Sequence, residues 1–220
     1  MFDGYVLVGG KSSRMGTDKF ALRWGDLTFA ERASSALRKI ADERVYFVVG
    51  ANQTEETNGL LPPGIPRITD VYPNKAAIGG IYTALAHSVN EWILILACDY
   101  PFVTGDLFAR LAEIADSVDA NVSAIAPVQP DGRIQPLCAI YRTTACLKAA
   151  KQMLESDKIP PVRRLPENVK TRLVQFEELT DLHGAEFFFT NVNTPEEYLE
   201  AQNILRRMQE KNKKKKINRD

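Results

Sequence analysis

No apolar stretch in this chain is long enough to cross a membrane. The longest, Trp92 to Cys98, falls far short of the about 20 residues a spanning helix needs. No basic segment precedes the first apolar run and no cleavage site follows it, so no secretory leader is expected. Cysteine is scarce: Cys98, Cys138 and Cys146 are an odd count at wide spacings, which fits neither a disulfide framework nor a zinc site. A reducing cytoplasm is the simplest location for such thiols. Only two histidines occur, His87 and His183, and neither has a serine, cysteine or acid arranged with it as a hydrolytic set. No internal repeat is present. Net charge is also absent, since 28 Lys and Arg balance 28 Asp and Glu, but it is unevenly spread. Residues 211–220 hold five Lys and one Arg against one Asp, which leaves residues 1–210 mildly acidic. An acidic body argues against nucleic acid as a partner, and the lysine run reads as a solvated, flexible basic tail.

What is present is an ordinary globular balance, 45 % hydrophobic and 25 % charged residues, over a length suited to one large domain. The apolar runs are short and often β-branched: Tyr5–Val8, Val45–Val49, Trp92–Ala97 and Val122–Val128. Runs of this kind read as strands buried on both faces. Between them apolar residues recur at helical spacing, as in Phe29, Ala33, Ala36, Leu37 and Ile40, then Ile78, Ile81, Tyr82 and Leu85, then Leu107, Leu111 and Ile114. Strands alternating with helices predict an α/β fold: a Rossmann-like, mostly parallel sheet with helices on both faces. The second half predicts strands at Gln135–Tyr141, Thr171–Phe176 and Glu186–Thr190, and a helix over Thr144–Ser156. Thr194-Pro195-Glu196-Glu197 carries the signals of a helix start: a capping hydroxyl, proline at the first position and acids in the first turn. Residues 1–210 are read as a single domain and 211–220 as the tail.

The first strand runs into Leu7-Val8-Gly9-Gly10-Lys11-Ser12-Ser13-Arg14-Met15-Gly16-Thr17-Asp18-Lys19. Glycines let backbone N–H groups close on an anion. Arg14 offers a planar fork for phosphate oxygens, and Lys11 and Lys19 offer point charges. The spacing fits neither the P-loop nor the dinucleotide fingerprint, so this is a polyphosphate loop of another design. Asp99 ends a strand that Pro101 stops from continuing. A carboxylate there lies in the crevice where open α/β sheets bind ligands. It can hold Mg²⁺, which commonly takes one or two carboxylates together with phosphate oxygens and water. Asp70 ends the short strand Arg67–Thr69 and on sequence alone could equally be a turn residue; Ala51-Asn52-Gln53 is a loop.

The opening loop resembles the signature of the nucleotidyltransferases of molybdenum cofactor biosynthesis, and of these the guanylyltransferase family most. Val48-Val49-Gly50-Ala51-Asn52, Thr69-Asp70, Ala97-Cys98-Asp99-Tyr100-Pro101 and Asn191-Val192-Asn193-Thr194-Pro195-Glu196-Glu197 follow in that family's order, over about residues 3–200. The resemblance implies the nucleotide-diphospho-sugar transferase type of fold. It implies Mg²⁺ as cofactor, GTP and molybdopterin as substrates, and transfer of GMP to the terminal phosphate of molybdopterin. Arg14, Lys19 and Asp99 are then catalytic, with Asp99 as the metal ligand. Leu7, Val8, Gly9, Gly10, Lys19, Asn52, Asp70 and Asp99 bind the nucleotide, and Asn191 and Asn193 bind the acceptor. Molybdoenzymes or cofactor-delivery proteins are the candidate protein partners. Arg142, Arg163 and Arg164 are further cations for the acceptor phosphate.

The chain departs from the family pattern at three places. Val8 stands where Ala is usual, Ala76-Ala77-Ile78-Gly79-Gly80 replaces Gly-Pro-Leu-x-Gly, and Gln135-Pro136 replaces His-Pro. Cytidylyl relatives carry Ala before the loop glycine where this chain has Gly9. A missing methyl there predicts a roomier floor for a purine, hence GTP over CTP. A cytidylyltransferase for the same cofactor, a sugar-1-phosphate nucleotidyltransferase and a non-catalytic nucleotide-binding protein stay open as alternatives.

Overall fold

The computed structural model describes residues 1–9 and 18–217, with backbone only from 211 to 217. The main sheet is built from β1 (Phe2–Leu7), β4 (Val45–Val49), β5 (Arg67–Thr69), β6 (Trp92–Ala97), β7 (Ala124–Pro127), β8 (Cys138–Arg142) and β9 (Thr171–Val174). Its order is β5-β4-β1-β6-β8-β7-β9. Neighbours pair in parallel except at β8, which runs against both β6 and β7. The two-stranded hairpin β2 (Arg23–Trp24) and β3 (Leu27–Thr28) stands apart from it.

Every residue of β1 and β6 is buried, because the sheet is covered on both sides and alternate side chains feed opposite layers. Val6, Phe47, Leu94, Leu96 and Ile140 face α1 (Phe29–Ala41) and α4 (Gly105–Ser117), where Leu37, Leu107 and Leu111 meet them. Tyr5, Leu7, Val48, Ile93, Ile95 and Tyr141 face α3 (Ala76–His87) and α5 (Thr143–Leu154), where Ile78, Ile81, Leu85 and Met153 meet them. Two short helices, α2 (Glu55–Gly59) and α6 (Arg164–Glu167), lie in connections. Helix α1 starts on a reciprocal cap, with Glu31 N donating to Thr28 Oγ1 and Thr28 N to Glu31 Oε2. Lys39 of α1 pairs with Asp106 of α4 across this layer. Cys98 and Cys138 are buried in the first layer and Cys146 in the second, and all three are free thiols. No helix among the described residues is long and apolar enough to cross a membrane.

The last helix, α7 (Pro195–Ile217), begins as the sequence suggests: Glu197 N donates to Thr194 Oγ1, and Pro195 is the first helical residue. Its apolar face, Tyr198, Ala201, Ile204, Leu205 and Met208, packs on Trp24, Phe29 and Phe102, so the chain's end clamps the β2–β3 hairpin. The helical backbone carries past residue 210 into the lysine run, so the boundary drawn there is no break in secondary structure.

The expected strand at Glu186–Thr190 is absent. A 3₁₀ turn over Ala185–Phe187 stands there instead, entered through Gly184 at φ +80°. Three adjacent phenylalanines explain it, since they serve different clusters. Phe187 stacks near Phe102 below α7, while Phe188 and Phe189 pack on the α1–α4 layer. A strand would send Phe187 and Phe189 to one face; the turn distributes them.

Candidate functional site

Parallel pairing brings the carboxyl ends of β1, β4, β5 and β6 to one edge of the sheet. Val8 N donates to Val48 O, Cys98 N to Leu7 O and Asp70 N to Val49 O. Leu7–Gly9, Gly50–Asn52, Asp70 and Asp99 therefore stand side by side. Leu7 and Val8 are buried in the core, so only their backbone is available to a ligand. An alanine Cβ at Gly9 would meet Gly50 N at 3.0 Å. The missing methyl thus serves the approach of two strand ends, and a methyl there would face Gly50 rather than an open floor, contrary to the reading from sequence.

Three of the expected side chains converge. Lys19 Nζ donates to Asn193 Oδ1 at 2.6 Å and stands 3.7 Å from Asp99 Oδ2. Val192 N donates to Asp99 O at 2.9 Å, which seats the Asn191–Asn193 segment on the end of β6. Asn193 N and Thr194 N both donate to Glu197 Oε2, so the start of α7 fixes this segment. Asn191 is exposed at its outer end and Asn52 is exposed in the turn after β4. Gly10 and Arg14 lie outside the described residues, as do Lys11 and the rest of the loop to Thr17.

Asp99 has Lys19 beside one carboxylate oxygen and, among the described residues, nothing bonded to the other. Its side chain is 20 % exposed, yet Oδ1 is buried and has no hydrogen-bond partner among the described residues. Burial raises its pKa, and Glu197 raises it further, although Lys19 opposes both. A cation at Oδ1 would relieve that cost. No group of three or more His, Cys, Asp or Glu that could hold a metal occurs among the described residues. A divalent ion here would need ligand oxygens and water besides Asp99, which is the habit of Mg²⁺ on nucleotide phosphates.

Asp70 already has protein partners. Its Oδ1 accepts from Tyr72 N and from Thr83 Oγ1, tying β5 to α3, and burial raises its pKa. The adjoining segment is tight: a Cβ at Gly79 would lie 2.7 Å from Tyr72 O. Asn74 and Ala76 take φ +65° and +51°. Ala76 is the residue that replaces the usual glycine, so the departure noted in the sequence falls where the backbone needs one.

Several contributors were not visible as site residues. Gln53 Oε1 accepts from Gly50 N and shapes the turn bearing Asn52. Arg32 Nε donates to Pro101 O, holding the turn after Asp99 against α1. Tyr100 OH donates to the buried Gln135 Oε1. These partners are 3 to 69 residues apart, and the long-range ones have no local signal. Arg142 is placed elsewhere: it pairs opposite Trp92 at the far edge of the sheet, stacks on that ring and bridges to Glu91. Arg164 is paired with Glu167. His87 Nδ1 meets the Tyr5 hydroxyl inside the α3 layer, away from the strand ends.

A mostly parallel sheet with a carboxylate, a lysine and an amide gathered at its carboxyl edge fits an α/β nucleotidyltransferase, and similarity to known proteins assigns the chain to that class. A profile of the MobA-like NTP transferase domain matches residues 4–171, and the chain belongs to that family. It is 36 % identical to a protein of Carboxydothermus hydrogenoformans over 88 % of this chain and 91 % of that one. That relative is named "Probable molybdenum cofactor guanylyltransferase". A Clostridium perfringens protein of the same name is 31 % identical, covering 88 % and 92 %. The crystal structure of molybdopterin-guanine dinucleotide biosynthesis protein A from Archaeoglobus fulgidus shares the fold. Its TM-score is 0.75 at 22 % identity, over 94 % of this chain and 100 % of that one.

Proposed function

We propose that this protein transfers GMP from GTP to the terminal phosphate of molybdopterin, giving the guanine dinucleotide and pyrophosphate. The names of its relatives support the substrates. The observation that carries the chemistry is the convergence of Lys19, Asp99 and Asn193 beside the end of β1. An acceptor phosphate oxygen attacks the α-phosphorus of GTP, the bond from that phosphorus to the bridging oxygen breaks, and pyrophosphate leaves. A phosphate monoester is largely dianionic near neutral pH, so no general base is needed and neither histidine has a part in the step.

What the protein supplies is position and charge. Lys19, and with it Arg14 and the amides of Gly9 and Gly10, holds the triphosphate and stabilises the leaving pyrophosphate. Asp99 would hold Mg²⁺, which when bound offsets repulsion between the two anions. Asn193, already fixed by Lys19 and the start of α7, and Asn191 offer amide groups to the donor–acceptor edge of the pterin. Asn52 and Asp70 lie along the same edge and would contact the ribose and base. We read the enzyme as cytoplasmic, its thiols reduced and buried. The test is the dependence of dinucleotide formation on Mg²⁺ in wild type and in Asp99→Asn. Wild-type turnover that survives metal removal, or an Asp99→Asn variant as fast as wild type, would sink the assignment.

A further inference from the structure

Of the arginines named above as candidates for the acceptor phosphate, Arg142 lies at the far edge of the sheet and Arg164 is paired with Glu167, whereas Arg133 sits on the hairpin that follows β7. Strand β7 runs parallel to β6, so its end at Pro127 comes to the same edge as Asp99. From there the chain makes a hairpin. Val128 bridges Ile134, Gln129 N donates to Arg133 O, and Gln135 N donates to Pro127 O. Residues 133–135 are thus an extended return segment. Arg133 and Gln135, two apart, leave it on the same side. On that side Gln135 Oε1 accepts from the hydroxyl of Tyr100, the residue next to Asp99.

Arg133 is also uncommitted to the fold. Its side chain is 74 % exposed, and its charge partner is Asp131, two residues away in the same turn. Exposed pairs of this kind contribute little to stability and exchange readily. Other arginines of the second half are held more firmly: Arg142 by Glu91 and Trp92, and Arg172 by Glu178. A guanidinium fork matches a phosphate monoester by two parallel hydrogen bonds.

We propose that Arg133 binds the phosphate of the acceptor, leaving Asp131 for it, and so delivers the attacking oxygen from the β7–β8 side while Lys19 holds the nucleotide from the other. This rests on the acceptor being a phosphate monoester, as in the reading above. The experiment is direct binding of molybdopterin and, separately, of GTP to wild type, Arg133→Gln, Arg133→Lys and Asp131→Asn. Arg133→Gln should weaken molybdopterin binding by roughly 10- to 100-fold and leave GTP binding unchanged. Arg133→Lys should recover part of the loss. Asp131→Asn should bind molybdopterin as well as wild type or better, because a competing carboxylate is gone. A merely structural ion pair would make the two removals act alike. Wild-type affinity in Arg133→Gln, or equal losses in Arg133→Gln and Asp131→Asn, would overturn the role of Arg133 alone. No affinity of the wild type for molybdopterin would overturn both this role and the proposed acceptor.

Discussion

Replacing Asp99 by Asn should stabilise the ligand-free protein while it abolishes turnover. The carboxylate has a buried oxygen with no partner among the described residues, and burial outweighs the lysine 3.7 Å away, so its folded pKa lies above the ordinary value. An acid of that kind works against folding at neutral pH. The unfolded chain loses the proton near pH 3.9, before the folded one does. Stability therefore falls as pH rises from there through the folded pKa, and the penalty is complete above it. An amide of the same shape carries no charge to desolvate, and Lys19 keeps its bond to Asn193. A buried charge left unpaired costs more than the about 1–3 kcal/mol of an unpaired neutral polar group; the amide still carries that neutral cost, and the lost attraction of Lys19 offsets part of the difference. A net gain of about 1 kcal/mol raises the melting temperature by about 2–4 °C for a chain of this size. Thermal melts with a chelator present, at pH 7 and below pH 4, are the assay. The variant should melt higher at pH 7, and the difference should vanish in acid. A folded Asp99→Asn protein that melts lower than wild type at pH 7 would refute the claim that burial wins.

Other outcomes follow from single contacts. Lys19→Met should raise the KM for GTP and slow turnover by roughly 10- to 100-fold, the worth of a charge-assisted bond, and steady-state kinetics on GTP would show it; unchanged constants would mean that Lys19 has no part in holding the nucleotide. Ala76→Gly should stabilise the protein by roughly 0.5–1 kcal/mol, since a left-handed alanine costs about 1–2 kcal/mol and glycine returns part as entropy. A denaturant titration showing loss instead would contradict the strain at φ +51°. Gly9→Ala should destabilise by about 1 kcal/mol by crowding Gly50 and should raise the KM for nucleotide by shifting the turn that bears Asn52. An unmoved KM would separate that turn from the base.

Much of this arrangement was legible in the sequence because the strands are buried on both faces. The bounds of β4 and β6 coincide with continuous apolar runs. Direction is another matter: a run such as Cys138-Ala139-Ile140-Tyr141 reads the same either way, and only pairing shows that β8 is antiparallel. The Glu186–Thr190 segment misled because aromatic residues favour strands in general, while here three rings have two clusters to fill. In the site, Lys19 and Asp99 announce themselves by residue type and position after strands. The bond between Lys19 and Asn193 spans 174 residues and no local pattern encodes it. Asp70 shows the converse, since a carboxylate at a strand end also anchors its own fold through Tyr72 and Thr83.

The central claim is tested most directly by product analysis. Purified protein is incubated with molybdopterin and Mg²⁺, with GTP and CTP supplied in separate reactions, and dinucleotide and pyrophosphate are measured together. The account predicts equal amounts of guanine dinucleotide and pyrophosphate with GTP, a much lower yield with CTP, and neither product from Asp99→Asn. A preference for CTP, or pyrophosphate release without a dinucleotide, would contradict it.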